Sequence, residues 1–221
     1  MKYIKFETYT GINNMNIDEN ILNNSISSQE QDATFRLYAW KPACISLGRN
    51  QNDSFINPEI TKKYNIDVVR RLTGGRALLH DNEITYSFVA PESYLKNGGS
   101  VIESYKEISQ ILINVFNKLG IELTLGGENG VHTKFDYCML ISTGADLCYQ
   151  GRKFIGSAQC RKNGYILQHG SILLGYNKEL LEELFQEKIH TDSIISLNEI
   201  NPNITPEEVI NMFEKEISTN Y

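Results

Sequence analysis

The sequence predicts an α/β protein of the α+β type, because strand and helix patterns follow one another along the chain. Apolar residues recur every three or four positions between Ser100 and Gly120, which is typical of an amphipathic helix. Three later apolar stretches are separated by residues 150–152 and 162–164, whose glycines are hairpin signals. A chain of 221 residues can bury one substantial core. We therefore predict one domain over residues 1–221, with no accessory C-terminal domain.

The first third of the chain predicts one helix among several strands. Met15, Ile17, Ile21 and Leu22 have roughly helical spacing, whereas residues 33–40 alternate between apolar and polar side chains. The predicted order is a strand over 2–8, a helix over 14–24, strands over 33–40 and 43–47, a short helix from Asn57 ending before Asn65, and a strand over 67–71.

The rest of the chain predicts one long helix, a loop and an antiparallel meander. Ser100 is a suitable N-cap for the helix and Gly120 a suitable stop. In the tail, Thr205 and Glu208 have the spacing of a capping box. The predicted order is a strand over 83–90 leaving the glycine turn, a helix over 100–120, a loop over 125–137, strands over 146–149, 153–161 and 165–174, and helices over 178–185 and 206–217.

Composition and charge exclude several classes of protein. The net charge of -6 argues against a nucleic-acid partner, because phosphate binding depends on clustered Lys and Arg. No apolar run approaches the roughly 20 residues that span a bilayer, so we expect no membrane association and a cytoplasmic location. The four cysteines lack the paired spacing of a zinc site, so no metal site is predicted. The cysteine spacing leaves open whether one of these thiols is reactive.

The first candidate site is a pair of glycines, Gly74 and Gly75, directly after a predicted strand and between arginines. Glycine lets a ligand approach the backbone closely, and exposed amides with Arg71 and Arg76 suit a negatively charged oxygen. A glycine pair is also an ordinary hairpin turn. The pattern alone leaves both interpretations open.

The second candidate is the segment 151–159. Strict alternation would put Lys153, Ile155, Ser157 and Gln159 on one face of a strand, with Gly156 and Ala158 on the other. In a cleft, the lysine ammonium would hold a carbonyl oxygen or an acyl phosphate. On an open sheet face it would be a solvated lysine, so both alternatives stand.

The third candidate is a polar interruption of an apolar strand at residues 168–171, which contains His169 and Gly170. A buried polar group needs a partner or a function. A histidine satisfied by structural hydrogen bonds and a histidine in a functional site fit this pattern equally well.

At these residues the chain resembles a known family, the biotin/lipoate A/B ligase-type enzymes, which comprise lipoate-protein ligases and octanoyltransferases. The resemblance covers most of the chain, and its motifs occur in the family's order. The motifs are residues 14–19, 70–81, 83–87, 151–159 and 167–171. Within the family, residues 74–76, 83–87 and 167–171 look most like the LipM-type octanoyltransferases.

The resemblance implies a fold, an activity and a set of site residues. The fold is a mixed, largely antiparallel sheet with flanking helices, the class II biotin/lipoyl synthetase-like catalytic domain. The implied catalytic residues are Cys138, as the nucleophile, and Lys153. The implied substrate-binding residues are Arg71, Thr73, Gly74, Gly75, Arg76, Ala77, His80, Gly156, Ser157, Ala158, His169 and Gly170. By position alone, Leu72, Leu79 and Ile155 are the expected walls of an acyl tunnel.

The implied reaction moves octanoyl from an acyl carrier protein to a lysine of a lipoyl domain or a glycine cleavage H-type protein. It needs no cofactor besides the octanoyl or lipoyl group itself. His80 and His169 are both candidates for proton transfer. We expect a monomer that meets its protein partners transiently.

Two alternatives remain open. One is a ligase that adenylates lipoate with ATP and Mg²⁺ and needs no cysteine. The other is a non-catalytic acyl- or lipoyl-binding protein, suggested by the residues after Cys138, which lack the aromatic and Pro-Ser pair usual in the octanoyltransferases.

Overall fold

The computed structural model describes residues 1–127, 144, 146–189 and 191–221. Its larger sheet has seven strands in the order β1-β2-β6-β10-β9-β8-β7, and β1 pairs with β2 in parallel while the other neighbours are antiparallel. The strands are β1 (Lys2–Tyr9), β2 (Thr34–Trp40), β6 (Glu83–Pro91), β7 (Thr124–Leu125), β8 (Leu147–Tyr149), β9 (Arg152–Lys162) and β10 (Tyr165–Leu173). The predicted mixed, largely antiparallel sheet is confirmed.

A smaller sheet of three strands lies beside it, in the order β4-β3-β5. Its members are β3 (Cys44–Leu47), β4 (Asp67–Arg70) and β5 (Leu78–His80). The sequence reading omitted β5, because a three-residue strand is too short to show a period. It also joined the glycine turn directly to the strand at Glu83, which is wrong, since β5 intervenes and pairs with β3.

Six α-helices surround the sheets in the described part of the chain. They are α1 (Gly11–Ser28), α2 (Pro58–Lys63), α3 (Val101–Lys118), α4 (Lys178–Phe185), α5 (Leu197–Ile200) and α6 (Pro206–Asn220). Helix α1 begins three residues before the predicted start, because the Thr10 side chain accepts a hydrogen bond from the backbone of Asn13 and caps it. The predicted caps Ser100 and Thr205 are confirmed. None of the helices described combines the length and apolar character needed to cross a membrane.

The predicted meander is confirmed, and its two turns explain its register. Gln150 and Gly151 have φ angles of 49° and 81°, and Asn163 and Gly164 have 51° and 79°. Two consecutive left-handed residues form the type of turn that matches the twist of a hairpin. The turns therefore fix β8, β9 and β10 as neighbours.

Packing leaves space between the two sheets. One core cluster fills the side of the larger sheet that carries α3 and α6, and a second joins the smaller sheet to α4. Helix α1 contacts β6 and β10 of the larger sheet and β3 and β4 of the smaller one. It therefore braces the two sheets against each other beside the gap.

Candidate functional site

A pocket opens between the two sheets, and its empty space, counted together with its solvent-open mouth, is about 430 Å³. Its apolar walls come from α1, β2 and β5, through Met15, Tyr38, Trp40 and Leu78. Seven of the predicted substrate-binding residues also line it: Arg71, His80, Gly156, Ser157, Ala158, His169 and Gly170. The glycine segment, β9 and β10 are distant in the sequence, and the fold brings all three to this one cavity.

None of the three residues expected as tunnel walls lines this pocket. Leu79 packs in the core of the smaller sheet, and Ile155 packs in the core of the larger one. Leu72 contacts a separate cluster around Leu22 on α1. Because side chains alternate along β5, Leu78 and His80 face the pocket and Leu79 faces away from it.

Arg71 has five N–H donors, and all of them have acceptors within the protein. Its Nε donates to Thr73 Oγ1 at 3.1 Å, and its Nη1 donates to the carbonyl and hydroxyl oxygens of Ser46. Its Nη2 donates to the carbonyl oxygens of Gly74 and Arg76 at 2.8 and 2.7 Å. The guanidinium thus holds the glycine segment against β3.

The glycines themselves turn the chain beside the pocket. Gly75 has a φ of +91°, and a side chain at Gly48 would meet the Gly75 carbonyl oxygen at 1.9 Å. The backbone at the end of β3 therefore approaches this turn too closely for any residue but glycine. Gly74 and Gly75 are exposed, and Ala77 is buried in the core of the smaller sheet.

His169 belongs to a relay of buried polar groups between α1 and the glycine segment. Its Nδ1 lies 3.4 Å from Asp18 Oδ2, and its Nε2 lies 2.7 Å from Thr73 Oγ1. A carboxylate accepts hydrogen bonds only, so Nδ1 carries a proton. In the neutral ring, Nε2 therefore accepts the proton of Thr73, whose oxygen already accepts from Arg71.

The electrostatics of this relay favour a neutral imidazole beside a charged carboxylate. Burial lowers the pKa of His169, and the hydrogen bond and charge of Asp18 oppose that effect without overcoming it. Burial by itself would raise the pKa of Asp18, but the His169 hydrogen bond and the Arg36 charge leave it below its usual value. Arg36 Nη1 donates to Asp18 Oδ1 at 2.9 Å.

His80 belongs to a second relay of the same composition. Its Nδ1 lies 2.9 Å from Glu83 Oε1, and its Nε2 lies 2.7 Å from Ser46 Oγ. The imidazole stacks on the Trp40 indole with a centroid separation of 4.0 Å. Trp40 Nε1 donates to Thr85 Oγ1 at 2.7 Å, and Thr85 in turn donates to Glu83. The relay thus fixes the ring in place on three sides.

Lys153 is buried and ion-paired. Its Nζ lies 3.1 Å from Asp146 Oδ2, and both side chains are 2% exposed. The alternative of a solvated lysine is therefore wrong. The other Asp146 oxygen accepts from the backbone N–H of Ser157 at 3.3 Å, which links the ion pair to a residue of the pocket wall.

The predicted alternation along β9 fails next to Lys153. Lys153 pairs with Cys148 and Ile155 with Leu147, so one residue of β9 is left over between them. Phe154 and Ile155 both pack in the core of the larger sheet. Such a bulge interrupts the period of two, so the face occupied by Ser157 does not predict the face of Lys153.

The structure describes three of the four cysteines. Burial raises the pKa of both Cys44 and Cys160, which disfavours their thiolates at neutral pH. Cys148 is buried in the larger sheet. Cys138, the nucleophile implied by resemblance, lies outside the described residues, as does most of the predicted loop over 125–137.

Sequence reasoning missed four residues that organise the pocket: Asp18, Trp40, Ser46 and Thr85. A signal existed for Asp18, because the buried side of α1 includes Met15, Asp18, Leu22 and Ser25 at helical spacing. An acid within such a stripe needs a buried partner. The other three give no such signal. Within the described ranges, no group of three or more His, Cys, Asp or Glu side chains is placed to hold a metal ion.

Comparison with known proteins gives one consistent family. The lipoyl protein ligase A/B catalytic domain matches residues 11–218. The chain is 38% identical over 191 residues to octanoyltransferase LipM of Clostridioides difficile strain 630, covering 85% of this chain and 70% of the relative. It is 33% identical over 225 residues to octanoyltransferase LipM of Bacillus subtilis strain 168, covering 93% and 81%.

Solved structures share the fold at lower identity. Lipoate-protein ligase A bound with ATP has a TM-score of 0.76 at 18% identity, covering 98% of this chain and 83% of that one. LipL1 of P. falciparum in complex with lipoate has a TM-score of 0.75 at 24% identity, covering 99% and 61%. The predicted class of fold is confirmed by these two similarities.

Proposed function

Because this chain belongs to the lipoyl protein ligase A/B catalytic domain family, we propose that it moves an octanoyl group from an acyl carrier protein to a protein lysine. The acceptor is a lipoyl domain or a glycine cleavage H-type protein. The support for octanoyl transfer is the set of relatives named octanoyltransferase LipM, at 33% to 38% identity over most of the chain. The reaction belongs to protein lipoylation.

The observation that carries the proposal is the pocket between the sheets. Residues from three separated segments line it, represented by Arg71, Ser157 and His169, and its other walls are apolar. An octanoyl tail is a flexible chain of methylene groups, which gains free energy by leaving water for such walls. The polar relays hold those walls in place without filling the cavity.

The proposed chemistry has two balanced steps. The Cys138 thiolate attacks the thioester carbonyl, a new carbon–sulfur bond forms, and the sulfur of the carrier protein leaves as a thiolate. The neutral amine of the acceptor lysine then attacks the acyl-enzyme, the nitrogen loses a proton to solvent as the amide forms, and the Cys138 thiolate leaves and is restored. Each step passes through a tetrahedral oxyanion, which a fixed cation stabilises.

Lys153 is the proposed cation for that oxyanion. The Lys153 side chain is buried and paired with Asp146, which holds it in one position, as a preorganised electrostatic group requires. Both histidines have Nε2 occupied by a hydroxyl and Nδ1 by a carboxylate. We therefore assign them to positioning the pocket walls rather than to moving the substrate proton.

The decisive experiment is a transfer assay with and without ATP. Purified enzyme is incubated with octanoyl carrier protein and an unmodified lipoyl domain, and intact-protein mass spectrometry follows the acceptor. Octanoylation without ATP is the expected result. Modification that requires ATP and free lipoate or octanoate would favour the ligase instead. Binding of octanoate with no transfer in either assay would favour the non-catalytic protein.

A second experiment tests the nucleophile. Wild-type enzyme is incubated with octanoyl carrier protein alone, and the covalent acyl-enzyme is measured by mass. We expect the adduct to be lost in Cys138→Ser and retained in Cys160→Ser, because the Cys160 thiol has a raised pKa and a poor thiolate population. An undiminished adduct in Cys138→Ser would refute the assignment.

A further inference from the structure

The hydroxyl of Ser171 is a polar group of the pocket wall that has no partner among the residues the structure describes. Ser171 lies on β10 and is 1% exposed, and its Oγ makes no hydrogen bond within that part of the chain. It lines the pocket together with Ser46, Thr85 and Ser157. Each of those three hydroxyls is engaged: Ser46 with His80, Thr85 with Trp40, and Ser157 with Tyr86.

The register of the sheet explains why Ser171 is left unsatisfied. Its cross-strand neighbours are Gly156 on β9 and Thr85 on β6. Gly156 has no side chain to offer, and the Thr85 oxygen accepts from Trp40 while its proton goes to Glu83. Gly156 and Ser171 both line the pocket.

A buried hydroxyl without a partner costs free energy, and such groups are rare in folded proteins. A cavity that binds a ligand offers a simple resolution, in which the ligand supplies the missing partner. The methylenes of an acyl tail cannot do this. The carbonyl oxygen is the acceptor that an octanoyl group carries.

We infer that the Ser171 hydroxyl donates a hydrogen bond to the carbonyl oxygen of the bound acyl thioester, which makes Ser171 a substrate-binding residue. The inference rests on the proposed function and specifies where the acyl group is held. Gly156, opposite Ser171, adjoins Ser157, whose N–H binds the carboxylate of Asp146. This part of the pocket is therefore linked to the Lys153–Asp146 ion pair, beside which the proposed function puts the reacting carbonyl.

The test compares two unreactive analogues of S-octanoyl pantetheine. In the first, an amide replaces the thioester and keeps the carbonyl oxygen; in the second, a thioether replaces it and the oxygen is absent. Dissociation constants are measured calorimetrically for wild type and Ser171→Ala. We expect the variant to bind the amide about tenfold more weakly, the effect of one hydrogen bond, and to bind the thioether as wild type does.

Ser87→Ala is the matched control. Ser87 lies on β6 and is also 1% exposed, and its Oγ likewise has no hydrogen-bond partner in the described ranges, but it does not line this pocket. Its replacement should leave the affinities for both analogues unchanged. Thioether binding by Ser171→Ala shows at the same time that the variant folds and keeps its pocket.

Two results would overturn the inference. One is an equal loss of affinity for both analogues in Ser171→Ala, which would mean that the hydroxyl shapes the wall instead of binding the carbonyl. The other is an unchanged affinity for the amide. Failure of the proposed function would look different, because wild type would then transfer no octanoyl group whatever Ser171 does.

Discussion

The Nη1 atom of Arg71 donates to both the carbonyl oxygen and the hydroxyl of Ser46, at 2.8 and 3.0 Å. Through Ser46 it reaches His80, and through its Nε and Thr73 it reaches His169. One guanidinium therefore joins two carboxylate–imidazole–hydroxyl relays on opposite sides of the pocket. The geometry of both histidines depends on this single cation.

The first prediction concerns that dependence. Arg71→Met should lower the free energy of unfolding by about 2 to 4 kcal/mol, because it leaves several buried oxygens without donors. Urea denaturation followed by circular dichroism measures the change. Lys62→Gln, at an exposed position of α2, is the control and should stay within about 0.5 kcal/mol of wild type. If Arg71→Met unfolded at the same urea concentration as wild type, the hydrogen bonds of Arg71 would not stabilise the fold as proposed.

The second prediction is a pH dependence of stability due to His169. Burial lowers the pKa of this group in the folded protein, so near pH 6.5 the unfolded chain binds a proton that the folded protein does not. Stability should therefore fall as the pH is lowered from about 7.5 to about 5.5. In His169→Asn the slope over this range should be smaller. Parallel slopes in the two proteins would argue against the assignment.

Asp18 acts in a separate range, which keeps the two contributions apart. Its pKa is lowered in the folded protein, so its stabilisation is complete above the unfolded value of about 3.9 and is lost as the pH falls through the folded value. The His169 measurement at pH 5.5 and above is therefore free of this titration. Denaturation curves measured at intervals of about half a pH unit resolve the two pH ranges.

Local signals predicted the elements of this fold, whereas long-range pairing determined the site. Ser100 and Thr205 cap helices as expected, because a cap depends on residues three positions away. The Trp40–Thr85 and Thr73–His169 contacts join residues 45 and 96 positions apart. No local period records such contacts, so the sequence indicated Thr73 and the two histidines without showing what any of them contacts.

The bulge in β9 shows a second limit of sequence reasoning. The strand itself and its hairpin were predicted correctly from the turn residues. The face of Lys153 was not, because one unpaired residue, Phe154, shifts the alternation. Nothing in the order of residues 151–159 marks that position, since Phe154 and Ile155 are both ordinary strand residues.

The third prediction uses the Lys153–Asp146 ion pair. Asp146→Asn should destabilise the protein by about 3 kcal/mol, because it leaves a buried ammonium without its counter-charge. Adding Lys153→Met should recover part of that loss, since the uncompensated charge is then removed. Urea denaturation of wild type, both single variants and the double variant measures the coupling. Additive losses would show that the two charges do not stabilise each other.

The fourth prediction concerns Gly170, which the resemblance placed among the substrate-binding residues. A Cβ atom there would lie 2.6 Å from the Gly156 carbonyl oxygen, 2.6 Å from Tyr86 Cε1 and 2.8 Å from Ser157 Oγ. Two of these neighbours are strand residues of the pocket wall, and a backbone carbonyl cannot move aside without shifting β9. Gly170→Ala should therefore cost about 1 to 3 kcal/mol of stability by overpacking.

Gly99→Ala separates this steric effect from the general effect of replacing a glycine. Nothing lies within 4 Å of a Cβ at Gly99, and its backbone does not require a left-handed conformation. Its thermal midpoint should equal or exceed that of wild type, because alanine restricts the unfolded chain. The clash in Gly170→Ala pushes on Gly156 and Ser157. The Gly170→Ala variant should therefore also bind the amide analogue of octanoyl pantetheine more weakly than wild type. Unaltered stability and affinity in Gly170→Ala would mean that β9 shifts to accommodate the new methyl group. The close packing of β9 against β10 would then not determine the shape of the pocket.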